Sequence, residues 1–314
     1  MSKELRNWIK VLLCIGFIFG LGIILFFQSL GSPPVQWTES RVPVQPGQLG
    51  KSLAVRTLGA NGNTILFLHG LVGSQRFWGQ EFESLARTHR MVVPDLLGFG
   101  QSPLSGSGYG VEKQVNALIE TLNRQQVELP LVVVGHSAGC VVALGLAALH
   151  PSSVSSVVCF SPALYENSEQ ARRRISELGL ITRFFALDTQ LSRSVCEWMS
   201  LHVSLAAAIA EYLNPELPAP IAHDAALHSA ESYFGTMNEV IFSARGNEFL
   251  GKIQVPVRLI AGTKDHAMEL AYLEKLAKLH SNVTLTVWPG LDHQVPLEAA
   301  QQSVDEIEQM SRSK

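Results

Sequence analysis

The stretch Leu131–Ala143, LVVVGHSAGCVVA, sets four apolar residues ahead of a Gly-His-Ser-Ala-Gly turn and then runs on apolar without a break. A serine between two glycines, wedged between a strand-like and a helix-like run, reads as a sharp bend that lifts its side chain clear of the backbone. Gly135 and Gly139 leave room for the close backbone approach such a bend needs. A helix starting at Ala138 brings a positive dipole end and free N–H groups to the place where a negatively charged oxygen would form. Ser137 is therefore the candidate nucleophile.

Outward from this turn the chain alternates strand and helix patterns from about Gly50, which predicts an α/β fold: a mostly parallel sheet with helices on both faces. TILFLHG and RMVVPD read as strands before the turn, with a helix between them carrying Trp78, Phe82 and Leu85 at helical spacing. Val111, Val115, Leu118, Ile119 and Leu122 form the stripe of an amphipathic helix. SSVVCFSP is the strand that follows. The alternation then fails for some ninety residues of helical composition and resumes at VPVRLIAG, followed by a helix over Met268–Leu279 and the strand VTLTVW. Hence 50–161 and 251–314 are expected to make one core, and 162–250 a helical insertion.

A serine needs a base, and the base an orienting acid, both in loops at the carboxyl ends of later strands. RLIAGTKDH delivers Asp265 and VTLTVWPGLDH delivers His293, giving the chain order Ser, Asp, His. Asp292 adjoins His293 and His266 adjoins Asp265, so the neighbouring side chains should diverge; Asp292 reads as a loop carboxylate and His266 as a loop side chain near the site. The loop after TILFLHG, with Gly70 and Gly73, offers the backbone N–H of Leu71 as a second oxyanion donor beside that of Ala138. His69 is expected to brace that loop. His223, Asp224 and His228 lack the spacing of a helical metal site, and neither a metal nor a cofactor is expected.

HGLVGS, DLLGFGQS, GHSAG, GTKDH and GLDH, in this order over residues 50–314, make the chain resemble the α/β-hydrolase fold in its branch with a helical cap domain. The resemblance implies that 162–250 is a cap over Ser137 and that Asp95 and Gly98 shape a loop near it. It also implies an acyl-enzyme on Ser137 and hydrolysis of esters, the substrate being a small or lipid-like ester. Haloalkane dehalogenases and epoxide hydrolases of this family carry aspartate where Ser137 stands, which argues against both chemistries. Carbon–carbon bond hydrolysis by the same triad stays open, as does a non-catalytic binding or scaffold role. Phe184, Phe185, Trp198, Met199, Tyr212, Tyr233, Phe234 and Phe242 are candidates to line an apolar pocket as well as to form the cap's own core.

A net charge of -3 leaves no basic face for nucleic acid. The apolar excess lies at the N-terminus, where Val11–Phe27 carries no charge and Trp8–Leu30 is long enough to span a bilayer. Residues 1–30 thus read as a membrane anchor, or as a cleaved signal peptide, and the Pro- and Gly-rich 31–49 as a linker. Lys3, Arg6 and Lys10 ahead of the run predict a cytoplasmic N-terminus and an extracytoplasmic domain; cleavage would make the chain secreted or periplasmic. Arg172, Arg173 and Arg174 read as a solvated helix face or a contact for lipid headgroups. Cys14, Cys140, Cys159 and Cys196 do not form a disulfide framework, and the sequence does not indicate an oligomeric state.

Overall fold

The computed structural model describes residues 52–214 and 217–312, all within one compact unit, Val44–Lys314. The anchor and linker readings fall outside the described residues. Among those residues no helix is long and apolar enough to cross a membrane.

Seven strands form one sheet: β1 (Val55–Leu58), β2 (Thr64–Leu68), β3 (Arg90–Pro94), β4 (Leu131–His136), β5 (Val154–Phe160), β6 (Val257–Gly262) and β7 (Val283–Trp288). Their order is β1-β3-β2-β4-β5-β6-β7, and every pairing is parallel except β1 with β3. β2 and β4 are buried along their whole length. That burial on two faces is why they read as unbroken apolar runs. Alternation sorts their side chains: Leu66, Leu68 and Val133 enter one core, Ile65, Phe67, Val132 and Val134 the other.

The first core is covered by α1 (Val111–Arg124) and α2 (Ala138–Leu149), the second by the C-terminal helix Ala300–Arg312 through Val304, Ile307 and Met310. Trp78, Phe82 and Leu85 do face the second core, but from short 3-10 turns (Gln75–Phe77, Gln80–Arg87) and not from an α-helix. Cys140, Cys159 and Cys196 are buried free thiols.

Between β5 and β6 the described chain adds no strand to the sheet. It forms α3 (Ser168–Glu177), α4 (Leu180–Ala186), α5 (Gln190–Leu201), α6 (Val203–Leu213), α7 (Ala219–Asp224), α8 (Ala230–Thr236), a π-helical turn Met237–Ile241, and α9 (Gly246–Leu250). Local sequence sets the helix starts. Asn167 caps α3, and α5 and α8 open with reciprocal boxes between Thr189 and Ser192 and between Ser229 and Ser232. After β6 come α10 (Leu270–Leu279), β7, and α11 (Val295–Glu298) leading into α12 (Ala300–Arg312). Because β2, β4, β5, β6 and β7 are parallel, the loops at their carboxyl ends open on one side of the sheet.

Candidate active site

Ser137 stands between β4 and α2 with φ 51 and ψ -118, a conformation that L-residues rarely adopt. The flanking glycines are sterically required. A Cβ on Gly135 would lie 2.7 Å from the Cys140 nitrogen, and one on Gly139 would lie 2.5 Å from the carbonyl oxygens of both Leu68 and His69. The turn is therefore clamped between its own helix and the end of β2.

Ser137 Oγ lies 3.1 Å from His293 Nε2, and His293 Nδ1 lies 2.8 Å from Asp265 Oδ2. Asp265 also accepts from the Ala267 N–H at 2.9 Å. Burial pushes its carboxyl upward, but the His293 hydrogen bond and charge, the Ala267 N–H and the Ser161 hydroxyl outweigh that and hold it below the usual range. The structure thus brings together the three residues expected from the sequence. Asp292 stays outside this chain of hydrogen bonds, accepting from the His293 backbone N–H at 2.7 Å, and with His266 it lines the cavity. Such a chain can move a proton from the serine to the imidazole while fixing which ring nitrogen starts free.

Gly70 and Leu71 line the cavity beside Ser137, and Ala138, as the first residue of α2, has no helical partner for its N–H. His69 is buried; its Nδ1–H donates to the Gly70 carbonyl at 2.7 Å and its Nε2 accepts from the Leu96 N–H at 2.9 Å. Burial lowers its pKa, keeping it a neutral brace. Asp95 accepts from the Gln75 N–H at 2.6 Å and the Gln101 N–H at 2.8 Å, holding the next loop.

Two features of the site escape a sequence reading. His136, beside the nucleophile, is buried, stacks on Phe77 (centroids 4.4 Å apart) and donates through Nε2 to the His293 carbonyl at 2.9 Å. Burial, then the charge of His293, brings its pKa down to about 3. Nothing in GHSAG distinguishes this histidine from any other side chain at that position. The second is a tie between the loop that carries Leu71 and the helical insertion: Ser74 Oγ donates to Asp224 Oδ2 on α7, with Arg76 3.4 Å from the same carboxylate.

A cavity of about 460 Å³ opens over Ser137. Of the eight side chains named as candidate lining, only Tyr233 reaches it; Phe234 and Phe242 are buried in packing, while Trp198 and Tyr212 face solvent. The walls are instead aliphatic, from Ile175, Leu178, Met237 and Ile241. Tyr233, Met237 and Ile241 recur every four residues, a helical spacing that does not by itself say which way the stripe faces.

Fold and site together define an α/β protein with a serine–histidine–carboxylate chain under a helical insertion. The sequence profile of the alpha/beta hydrolase fold matches residues 63–300, and the chain belongs to that family. Among curated proteins it is similar to Probable lysophospholipase BODYGUARD 3 of Arabidopsis thaliana, 37% identical over 123 residues, covering 36% of this chain and 25% of that protein. It is also similar to Probable lysophospholipase BODYGUARD 5 of the same plant, 26% identical over 253 residues, covering 73% of this chain and 57% of that protein. The chain therefore spans well under two thirds of the length of these relatives. Among solved structures, an esterase from Thermogutta terrifontis aligns with a TM-score of 0.64 at 20% identity, over 83% of this chain and 93% of the other. An esterase from Exiguobacterium antarcticum aligns with a TM-score of 0.62 at 16% identity, over 83% and 96%. At these identities the structural likeness speaks for the fold.

Proposed function

We propose that the chain is a serine hydrolase that cleaves carboxylic esters through an acyl-enzyme on Ser137. The observation that carries this reading is the continuous hydrogen-bonded chain Ser137–His293–Asp265 at the floor of a cavity. His293 Nε2 takes the Ser137 proton as Oγ attacks the ester carbonyl. The N–H groups of Leu71 and Ala138 hold the oxyanion, a donor of this kind contributing about 3–4 kcal/mol to the transition state. His293 then passes its proton to the departing alcohol, and water, deprotonated by the same imidazole, releases the acid. Asp265 fixes the tautomer and stabilises the imidazolium.

Residues 162–250 act as a cap that selects substrate. Aliphatic walls suit an apolar acyl group, and Glu177 and Asp292 among the lining residues favour a neutral ester over the anionic ketones that carbon–carbon bond hydrolases take. The relatives' names, lysophospholipase and esterase, agree with a lipid-like ester. On the sequence alone, residues 1–30 anchor the chain in a membrane, with Lys3, Arg6 and Lys10 on the cytoplasmic side and the hydrolase domain on the other.

A fluorophosphonate probe tests the chemistry: it should label the wild type and spare Ser137→Ala. Equal labelling of both removes Ser137 as nucleophile, and no labelling with no ester turnover by folded protein favours a binding role.

A further inference from the structure

Fourteen large apolar side chains are exposed among the described residues, and nine of them fall between Leu178 and Leu213. Apolar side chains scattered singly over a surface need no explanation, but this concentration in one helical segment does. Its first part coincides with the mouth of the cavity. Leu178 and Thr182 line the cavity, while Leu180 and Ile181 between them are 84% and 60% exposed. Leu180, Arg183 and Leu187 follow at i, i+3 and i+7, so α4 and its C-cap present an outward stripe of leucine, arginine and leucine.

Charge on this side is also unbalanced. Arg173 and Arg183 are exposed and neither is ion-paired among the described residues. By contrast Arg172 lies over Phe242, Arg174 meets Glu177 and Glu269, and Asp188 is taken by Arg193. Free cations interleaved with exposed leucines are the composition of a surface that sits at the headgroup boundary of a bilayer, with the apolar side chains below and the guanidinium groups on phosphate.

We propose that the lip formed by Leu178–Leu187 docks on a lipid bilayer and that ester substrate enters the cavity directly from that surface. The proposal rests on the ester-hydrolase reading for what is loaded. A bilayer is the favoured occupant because of the chain's own layout. The apolar run ends at Leu30, and the 21 residues from Gly31 to Lys51 separate it from the first described residue. A tether of that length reaches at most about 70 Å, which keeps the lip at high effective concentration near the membrane, so a small docking surface suffices. Three exposed leucines and an isoleucine with one arginine are too small a patch to hold a free protein on lipid, but enough to orient a tethered one.

Two measurements on the full chain, reconstituted in vesicles of phosphatidylcholine and phosphatidylglycerol, decide the matter. In the first, a fluorophore is attached to Ile181→Cys in a Cys14→Ser background, with Leu104→Cys, exposed outside the segment, as control. Spin-labelled lipid should quench the label at 181 and leave that at 104 bright. Equal quenching at both positions, whether weak or strong, overturns the proposal, as does self-quenching at 181 that rises with protein density and marks a contact between copies. In the second, Leu180→Gln/Ile181→Gln is compared with wild type on a bilayer-embedded monoacyl ester and on soluble p-nitrophenyl acetate. The expected result is a fall of about ten-fold in kcat/KM on the embedded ester alone, from loss of the local-concentration advantage. Equal rates of variant and wild type on the embedded ester overturn the proposal. If wild type turns over neither ester, the hydrolase reading fails and the quenching result still decides whether the lip meets lipid.

Discussion

His136 Nε2 and the backbone carbonyl of His293 are hydrogen-bonded at 2.9 Å, so the residue next to the nucleophile holds the loop that carries the base. The donor is permanent, because burial keeps this imidazole neutral down to about pH 3. Phe77 stacked on its other side fixes the ring plane. The spacing of Ser137 Oγ and His293 Nε2 is thus set by a contact that involves neither reacting atom.

Substitution at this position should separate packing from donation. His136→Phe keeps an aromatic ring on Phe77 and removes the donor. We expect kcat to fall by about 10²-fold with KM little changed, the loss typical of a misplaced catalytic group. His136→Gln, whose amide nitrogen can reach the same carbonyl, should recover most of it. Equal activity in both variants would remove His136 from the positioning of His293.

The buried histidines also predict an acid-sensitive fold. His136 and His228 have pKa values lowered to about 3 and about 4, both by burial, while an unfolded histidine titrates near 6.5. Between those values the unfolded chain binds more protons, so the stability each contributes is complete above about pH 6.5 and drains away as the pH falls. At pH 5 each should have lost about 2 kcal/mol relative to pH 7. Denaturant titrations at the two pH values should show this difference, and His136→Gln should shrink it by about 2 kcal/mol. Asp265, held low, acts in a separate window: its contribution is present above the ordinary carboxylate range and is lost only as the pH falls below it.

Gly139→Ala tests the clamp on the turn. Its Cβ would press to 2.5 Å on the Leu68 and His69 carbonyl oxygens, which are backbone and cannot swing aside. A loss of about 1–3 kcal/mol is expected, with slower probe labelling as Ser137 shifts. Gly251→Ala is the control: its nearest neighbour would be 3.5 Å away and its φ is -63, so stability should change by less than about 1 kcal/mol. Similar losses in the two variants would argue that the crowding around Gly139 does not matter.

Ser74→Ala removes the hydroxyl that joins the His69–Ser74 loop to α7. Asp224, only 2% exposed, would keep Arg76 at 3.4 Å as its remaining partner. Leaving a buried carboxylate short of a donor costs about 1–3 kcal/mol. Since the same loop carries Leu71, KM should rise as well; an unchanged KM with lowered stability would confine the tie to folding.

The sequence alone determined what local pattern can determine. An apolar run of strand length, a glycine-flanked serine and an apolar helix specify the bend at Ser137, and a ninety-residue break in the alternation marks the helical insertion. Asp265 and His293 were legible because each follows a strand-like run directly. β1 was not: VRTL is four residues, half exposed at the sheet edge, and is a strand only because Val55–Leu58 pairs antiparallel with β3. Nor was the cavity wall, since aromatic content says nothing about which side chains a helix turns inward. Above all, proximity belongs to the tertiary structure. β4 and β7 are separated by β5 and β6, about 14 Å at the usual strand spacing, so His293 meets Ser137 only because the loop after β7 folds back across β6. Gly262 permits that crossing, since a Cβ there would lie 2.3 Å from the Leu291 carbonyl oxygen, and the Lys264 N–H donates to that same carbonyl at 2.9 Å. These contacts join residues 27 to 157 positions apart, beyond the range over which periodicity or turn chemistry carries information.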